Sequence, residues 1–190
     1  MVKIITDTTA CLSPEIAHRY DIPVIPQVVH FGEETFLEGV DMDAGAFMTR
    51  LMASAELPKT AAPPPGLFVE QFARLVPLGE PIVCIHPSAE ISGTIRSATI
   101  AATEFPDADI RIVDTRLIAS SLGTIVQLAA EAAAEGADAD AIVARVNDLG
   151  RRGRIYFLVS TLEYLARGGG VGGAAGAVGR LLSGQTKLQF

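Results

Sequence analysis

The sequence predicts an α/β fold, a mostly parallel open sheet with helices on both faces. Three observations carry this. Short runs rich in Val, Ile and Phe alternate with longer segments of helical periodicity, the pattern of strands joined by crossover helices. The chain has 190 residues, 49% of them hydrophobic and only 19% charged, enough for a sizeable core without disulfide staples. Polar residues gather where the strand-like runs end, the place where open parallel sheets bind ligands.

Residues 2–6 read as the first strand, with Asp7 at its end. Ser13-Pro14-Glu15 offers an N-cap, a proline at the first helical position and an early acid, opening a helix to Tyr20. Residues 24–31 form a second strand, and the run from Phe31 through Gly32 to Phe36 reads as a hairpin added to it. Asp43 caps a helix over 44–53, with Phe47, Leu51 and Met52 on one face. Residues 57–66 hold four prolines, too many for a strand ladder and too stiff for a floppy linker. Phe68, Phe72, Leu75 and Val76 then fall at helical spacing within 66–76. A strand over 81–86 precedes a helix over 93–104, and a strand over 110–114 precedes a long apolar helix over 117–135. Gly136 suits the left-handed position that ends it. An amphipathic helix over 140–149 and a strand over 154–160 complete the pattern. Residues 168–176 are glycine-rich and unpatterned, marking a boundary.

Composition excludes several functions. Lys plus Arg number 15 against 22 Asp plus Glu, a net charge of −7 that disfavours nucleic acid as a partner. The N-terminus lacks the basic, apolar and small-residue regions of a signal peptide. The apolar run 117–130 is interrupted by Ser120, Ser121, Thr124 and Gln127, so no membrane span is expected. Cys11 and Cys84 have neither CxxC nor metal spacing and read as core thiols of a reducing, cytoplasmic compartment.

Four polar clusters fall at strand ends: Thr6-Asp7-Thr8-Thr9, the loop from Pro87 to Thr94, Asp114-Thr115 with Ser120-Ser121, and Ser160-Thr161. The second is the most informative. A strand runs into a loop ending Ser92-Gly93-Thr94, then a helix, an arrangement able to receive a carboxylate or phosphate. The bland alternative is that Ser92 merely caps the helix. Asp7 and Asp114 could share Mg²⁺ or simply hold loop N–H groups. His86 lies near Ser92 in sequence, but a lone histidine is more often structural. There is no GxxxxGK[ST] and no GxSxG, and the GxGxxA match at 170–175 follows no strand. Arg151, Arg152, Arg154 and Arg167 form either a solvated face or a docking patch for an acidic partner.

Six short motifs stand in an order that resembles the DegV family. They are Ile5-Thr6-Asp7-Thr8-Thr9; Leu57-Pro58-Lys59-Thr60-Ala61-Ala62-Pro63-Pro64; Ser88-Ala89-Glu90-Ile91-Ser92-Gly93-Thr94 with Ser97-Ala98; Val113-Asp114-Thr115; Ser121-Leu122-Gly123; and Leu162-Glu163-Tyr164-Leu165-Ala166-Arg167-Gly168-Gly169. The resemblance covers nearly the whole chain. It implies a non-enzymatic carrier that binds a long-chain fatty acid such as palmitate, with no cofactor, metal or catalytic residue. Some members present the acid to a separate fatty acid kinase. By this resemblance Thr60 and Ser92 would hold the carboxylate, Gly93 and Thr94 would support the head site, and the acyl chain would lie in an apolar tunnel. About fourteen buried methylenes at ~0.8 kcal/mol each offer roughly 11 kcal/mol before ordering costs. Hydrogen bonds to the charged head add ~1.5–3 kcal/mol each, so the tail supplies affinity and the head discriminates.

The sequence also departs from the family pattern. Gly170-Val171 stand where relatives carry Arg-Ile, an arginine tied to partner docking, and Leu181-Leu182 lead into Ser183-Gly184 rather than the usual stretch. The expected division is residues 1–160 as the α/β head-group-binding domain and 161–190 as the start of an incomplete C-terminal lobe. An uncovered tail groove would favour self-association into a homodimer. The rival reading, from a different class, is a phosphate- or Mg²⁺-dependent transferase or hydrolase using Asp7, Asp114 and Ser92.

Overall fold

The computed structural model describes residues 1–159 and 186–189. In chain order the elements are β1 (Lys3–Asp7), α1 (Pro14–Arg19), β2 (Val24–Ile25), β3 (Val28–Phe31), β4 (Glu34–Leu37), α2 (Ala44–Ala53), β5 (Lys59–Ala61) and α3 (Pro65–Leu75). Then follow β6 (Ile82–His86), α4 (Thr94–Ala102), β7 (Ile110–Asp114), α5 (Ala119–Ala134), α6 (Ala139–Arg152), β8 (Tyr156–Val159) and β9 (Thr186–Gln189). Helix starts follow their caps: Ser13, Asp43 and Asp138 each accept from a first-turn N–H. Gly136, at φ +94°, follows the end of α5 in the left-handed region.

Strands β2-β1-β6-β7 form a wholly parallel sheet. The pleat sorts its side chains. Ile4, Val83, Ile85 and Val113 meet Leu122 and Val126 of α5 and Ile142 and Val146 of α6. Ile5, Ile82 and Cys84 point the other way, onto Phe68, Phe72 and Leu75 of α3 and Ala98 and Ala101 of α4. Both faces are therefore covered by helices, as buried parallel sheets require. A side chain at Gly123 would place its Cβ 2.3 Å from the Ala10 carbonyl oxygen. That glycine lets α5 lie against the turn after β1.

Four expectations need correction. Residues 24–31 are not one strand: Pro26 and Gln27 separate β2, in the parallel sheet, from β3, in a second antiparallel sheet ordered β4-β3-β5. The proline-rich segment does contain a ladder, because Lys59–Ala61 pair with β3 between Pro58 and Pro63, on an edge where flanking prolines cost no ladder bond. Cys84 is fully buried and burial pushes its thiol pKa up, but Cys11 is exposed. It closes a 3-10 turn at φ +48°, so it is not a core thiol. Finally, β8 pairs antiparallel with β9 instead of joining the parallel sheet. Ser160-Thr161, Arg167, the glycine-rich stretch and Gly170-Val171 lie outside the described residues. Among the described residues no helix is long and apolar enough to cross a membrane.

Candidate ligand-binding site

The chain leaves β1 toward β2 on one side and leaves β6 toward β7 on the other. The gap between the ends of β1 and β6 is thus the topological switch point of the sheet, the place where open parallel sheets bind their ligands. Both strands end there on ionisable residues without solvent exposure, Asp7 and His86. Asp7 Oδ2 lies 2.7 Å from His86 Nδ1. Asp7 Oδ1 accepts from the Thr9 N–H at 3.0 Å, the Thr9 hydroxyl at 2.6 Å and the Gln27 amide at 3.0 Å. Burial by itself would raise the Asp7 pKa. The hydrogen bond and charge of His86, with the hydrogen bonds from Thr9 and Gln27, outweigh it and hold the carboxyl below its usual range. His86 also meets the Phe68 ring edge-on, centroids 5.3 Å apart, and its Nε2 has no hydrogen-bond partner among the described residues.

Gln27 joins this pair to the loop after β6. Its side-chain nitrogen lies 3.0 Å from both Asp7 Oδ1 and Thr94 Oγ1, while its backbone N–H donates to Thr8 Oγ1 at 3.1 Å. The loop is closed by Ser88, whose carbonyl accepts from the N–H groups of Ile91 and Ser92. Gly93 is the N-cap of α4 and offers no side-chain cap. Ser92, one residue earlier, lies with Oγ 2.8 Å from Thr94 Oγ1 and accepts weakly from the Thr94 N–H at 3.3 Å. It is half-buried, so its hydroxyl serves the first turn of α4 while staying near the surface.

Thr60 sits in β5 opposite Val29, and directly opposed residues of an antiparallel pair share a face. Thr60 is exposed. Ala62, two residues on, precedes Pro63 and so favours an extended backbone. A Cβ on Gly93 would stand 3.4 Å from the Ala62 Cβ. The β5 segment therefore abuts the Ser92-Gly93-Thr94 turn. Thr60 lies roughly 7 Å of extended chain from that contact, and Ser92 is its immediate neighbour.

The structure brings Ser92, Gly93 and Thr94 together and sets the Thr60 strand beside them. It uses Asp7 and Asp114 differently from a shared-cation site. Asp7 is engaged by His86, Thr9 and Gln27, and Asp114 accepts from the Ala89 and Arg116 N–H groups. Arg151 and Arg152 pair with Asp148, and Arg154 donates to the Arg151 and Gly153 carbonyls. Gln27 was missed in the sequence, although a glutamine inside an apolar strand-like run was the one signal available. Among the described residues, surface recesses lie elsewhere. One of about 340 Å³ is lined by Ile22, Pro23, Leu67 and Arg74, and one of about 450 Å³ by Asp114, Arg116, Asn147 and Arg151.

A family model described as an uncharacterised protein of the DegV family matches residues 1–185. The chain belongs to the DegV family. It is 34% identical to a DegV domain-containing protein of Clostridium perfringens over 168 residues, 88% of this chain and 60% of that relative. Among solved structures it is similar to a DegV family protein from Thermus thermophilus described for its fatty acid binding, with TM-score 0.89 and 29% identity, covering all of this chain and 67% of the other. It is also similar to a stearic acid-binding protein from Eubacterium ventriosum, with TM-score 0.85 and 27% identity over 95% of this chain and 64% of the other. The chain thus spans about 60–67% of the length of these three proteins. Their shared fold accounts for the parallel sheet and its flanking helices.

Proposed function

We propose that this chain binds a long-chain fatty acid such as palmitate, with Thr60 and Ser92 on the carboxylate and Gly93 and Thr94 supporting the head site. The observation that carries the reading is the packing of the Ala62 side chain beside Gly93, where an added Cβ would stand 3.4 Å from the Ala62 Cβ, so that two hydroxyl-bearing segments run side by side near the switch point. The fatty acid binding described for proteins of similar fold supports it. Ile91, beside Ser92, leaves 45% of its surface in water, an apolar side chain next to the polar head site. The tail supplies most of the affinity, at ~0.8 kcal/mol per buried methylene, and the head contacts discriminate.

The reading includes two partners. Thr60 is exposed and Ser92 half-buried, so the carboxylate end would be within reach of a separate fatty acid kinase. A second copy of the chain would cover an acyl tail that this chain leaves open to water. Sedimentation at micromolar concentration is expected to show a dimer, and a strict monomer carrying no lipid counts against that part.

Organic extraction and mass spectrometry of the purified protein test the central claim. Co-purifying C16–C18 acid is expected. Lipid-free protein that turns over a phosphate ester with added Mg²⁺ would replace this reading with the transferase or hydrolase. Ser92→Ala should lower the preference for palmitate over hexadecan-1-ol more than it lowers total lipid affinity.

A further inference from the structure

We propose that Gln27 is the positioning residue that makes the site select an anionic head group, by fixing the Ser92 hydroxyl as a hydrogen-bond donor. The inference rests on the reading that Ser92 meets the ligand head. Its basis is a buried hydrogen-bond relay whose polarity is set at one end.

Asp7 is that end. An ionised carboxylate only accepts, and every group around it can donate: His86 Nδ1, the Thr9 N–H, the Thr9 hydroxyl and the Gln27 amide. Turning the Gln27 amide over would set its carbonyl oxygen against Asp7 Oδ1, two acceptors about 3 Å apart, so the nitrogen must face the acid. That nitrogen carries two hydrogens, and both have a partner at 3.0 Å, Asp7 Oδ1 and Thr94 Oγ1. Thr94 Oγ1 therefore accepts from Gln27, and because Thr94 is sealed from water and Ser92 Oγ at 2.8 Å is its one other side-chain partner among the described residues, the Thr94 hydrogen goes to Ser92.

Ser92 Oγ then accepts twice, from the Thr94 hydroxyl and from the Thr94 N–H. Its own hydrogen is what the relay leaves over. The chain Asp7–Gln27–Thr94–Ser92 starts on a fixed acceptor and ends on a donor. A carboxylate accepts that donor through a charge-assisted bond about twice as strong as the neutral bond an alcohol makes. Gln27 and Thr94 are buried, so water does not compete inside the relay.

Reversing the relay tests it. A carboxyl group at position 27 has at most one hydrogen, which goes to Asp7. Gln27→Glu therefore presents Thr94 with an acceptor, the Thr94 and Ser92 hydroxyls turn inward in sequence, and Ser92 offers the ligand lone pairs. Displacement of a fluorescent acyl probe by palmitate and by hexadecan-1-ol gives the acid-over-alcohol affinity ratio. That ratio should fall about tenfold or more in Gln27→Glu, with hexadecan-1-ol binding kept or strengthened, and by less in Thr94→Val and Ser92→Ala. A role for Gln27 in packing alone would weaken both ligands together and leave the ratio at its wild-type value. A wild-type ratio in Gln27→Glu alongside a lowered ratio in Ser92→Ala overturns the relay and leaves the fatty acid reading standing. A wild-type ratio in Ser92→Ala overturns both. If Gln27→Glu fails to fold, Gln27→Met decides, since it keeps the side-chain length and removes the donor to Thr94: a lowered ratio supports the relay and a wild-type ratio overturns it.

Discussion

Asp7 is a carboxylate sealed from water and held by four hydrogen bonds, so its charge is paid for by its neighbours rather than by solvent. Asp7→Asn should cost ~1.5–3 kcal/mol at neutral pH for each charge-assisted bond not replaced. The pH dependence has a definite sign. The folded-state pKa lies below the ordinary 3.8, so between the two values the unfolded chain binds more protons. The contribution is complete above the unfolded value and is lost as pH falls through the folded one. The stability difference between wild type and Asp7→Asn, from urea midpoints, should be level from pH 7 to about 5 and shrink below about pH 4. An equal difference at pH 3 and pH 7 would show that Asp7 is not held ionised. Sequence reasoning noticed Asp7, His86 and Ser92 singly, because each ends a strand or opens a helix. The pairings it weighed and disfavoured were Asp7 with Asp114 and His86 with Ser92, whereas the structure joins Asp7 to His86 across 79 residues.

The elements that build the site were legible wherever a local signal existed. Caps at Ser13, Asp43 and Gly136, and the Phe68, Phe72 and Leu75 spacing, depend on neighbours within a turn or two. What escaped was strand β5 and the division of β2 from β3, since pairing partners for an edge strand are set by distant segments. Close approach was also invisible. Gly123 looks like a poor choice within a helix, yet α5 needs it there to pass the Ala10 carbonyl. Gly123→Ala should destabilise by ~2 kcal/mol or more through overpacking against backbone, measured by thermal or urea unfolding. An unchanged midpoint would mean that α5 shifts freely on the sheet.

At the scale of the whole molecule, the parallel sheet separates two apolar layers, and its switch point lies where β1 and β6 end on Asp7 and His86. Phe72 is fully buried against Phe68 and Phe105, and Phe72→Ala should cost ~3–5 kcal/mol in denaturant unfolding. Met52, 83% exposed, should tolerate Ser within about 0.5 kcal/mol. A comparable loss at both positions would contradict the layering. The amino-acid order by itself determined the α/β class, most helices and strands, and the Ser92-Gly93-Thr94 turn, because periodicity, caps and turn chemistry act over a few residues. Only the tertiary structure decided that Gln27 bridges Asp7 to Thr94, 67 residues away, and that Ala62 meets Gly93. Those contacts exist because β1 and β6 lie side by side and β5 folds back on β3, arrangements set by the packing of distant segments.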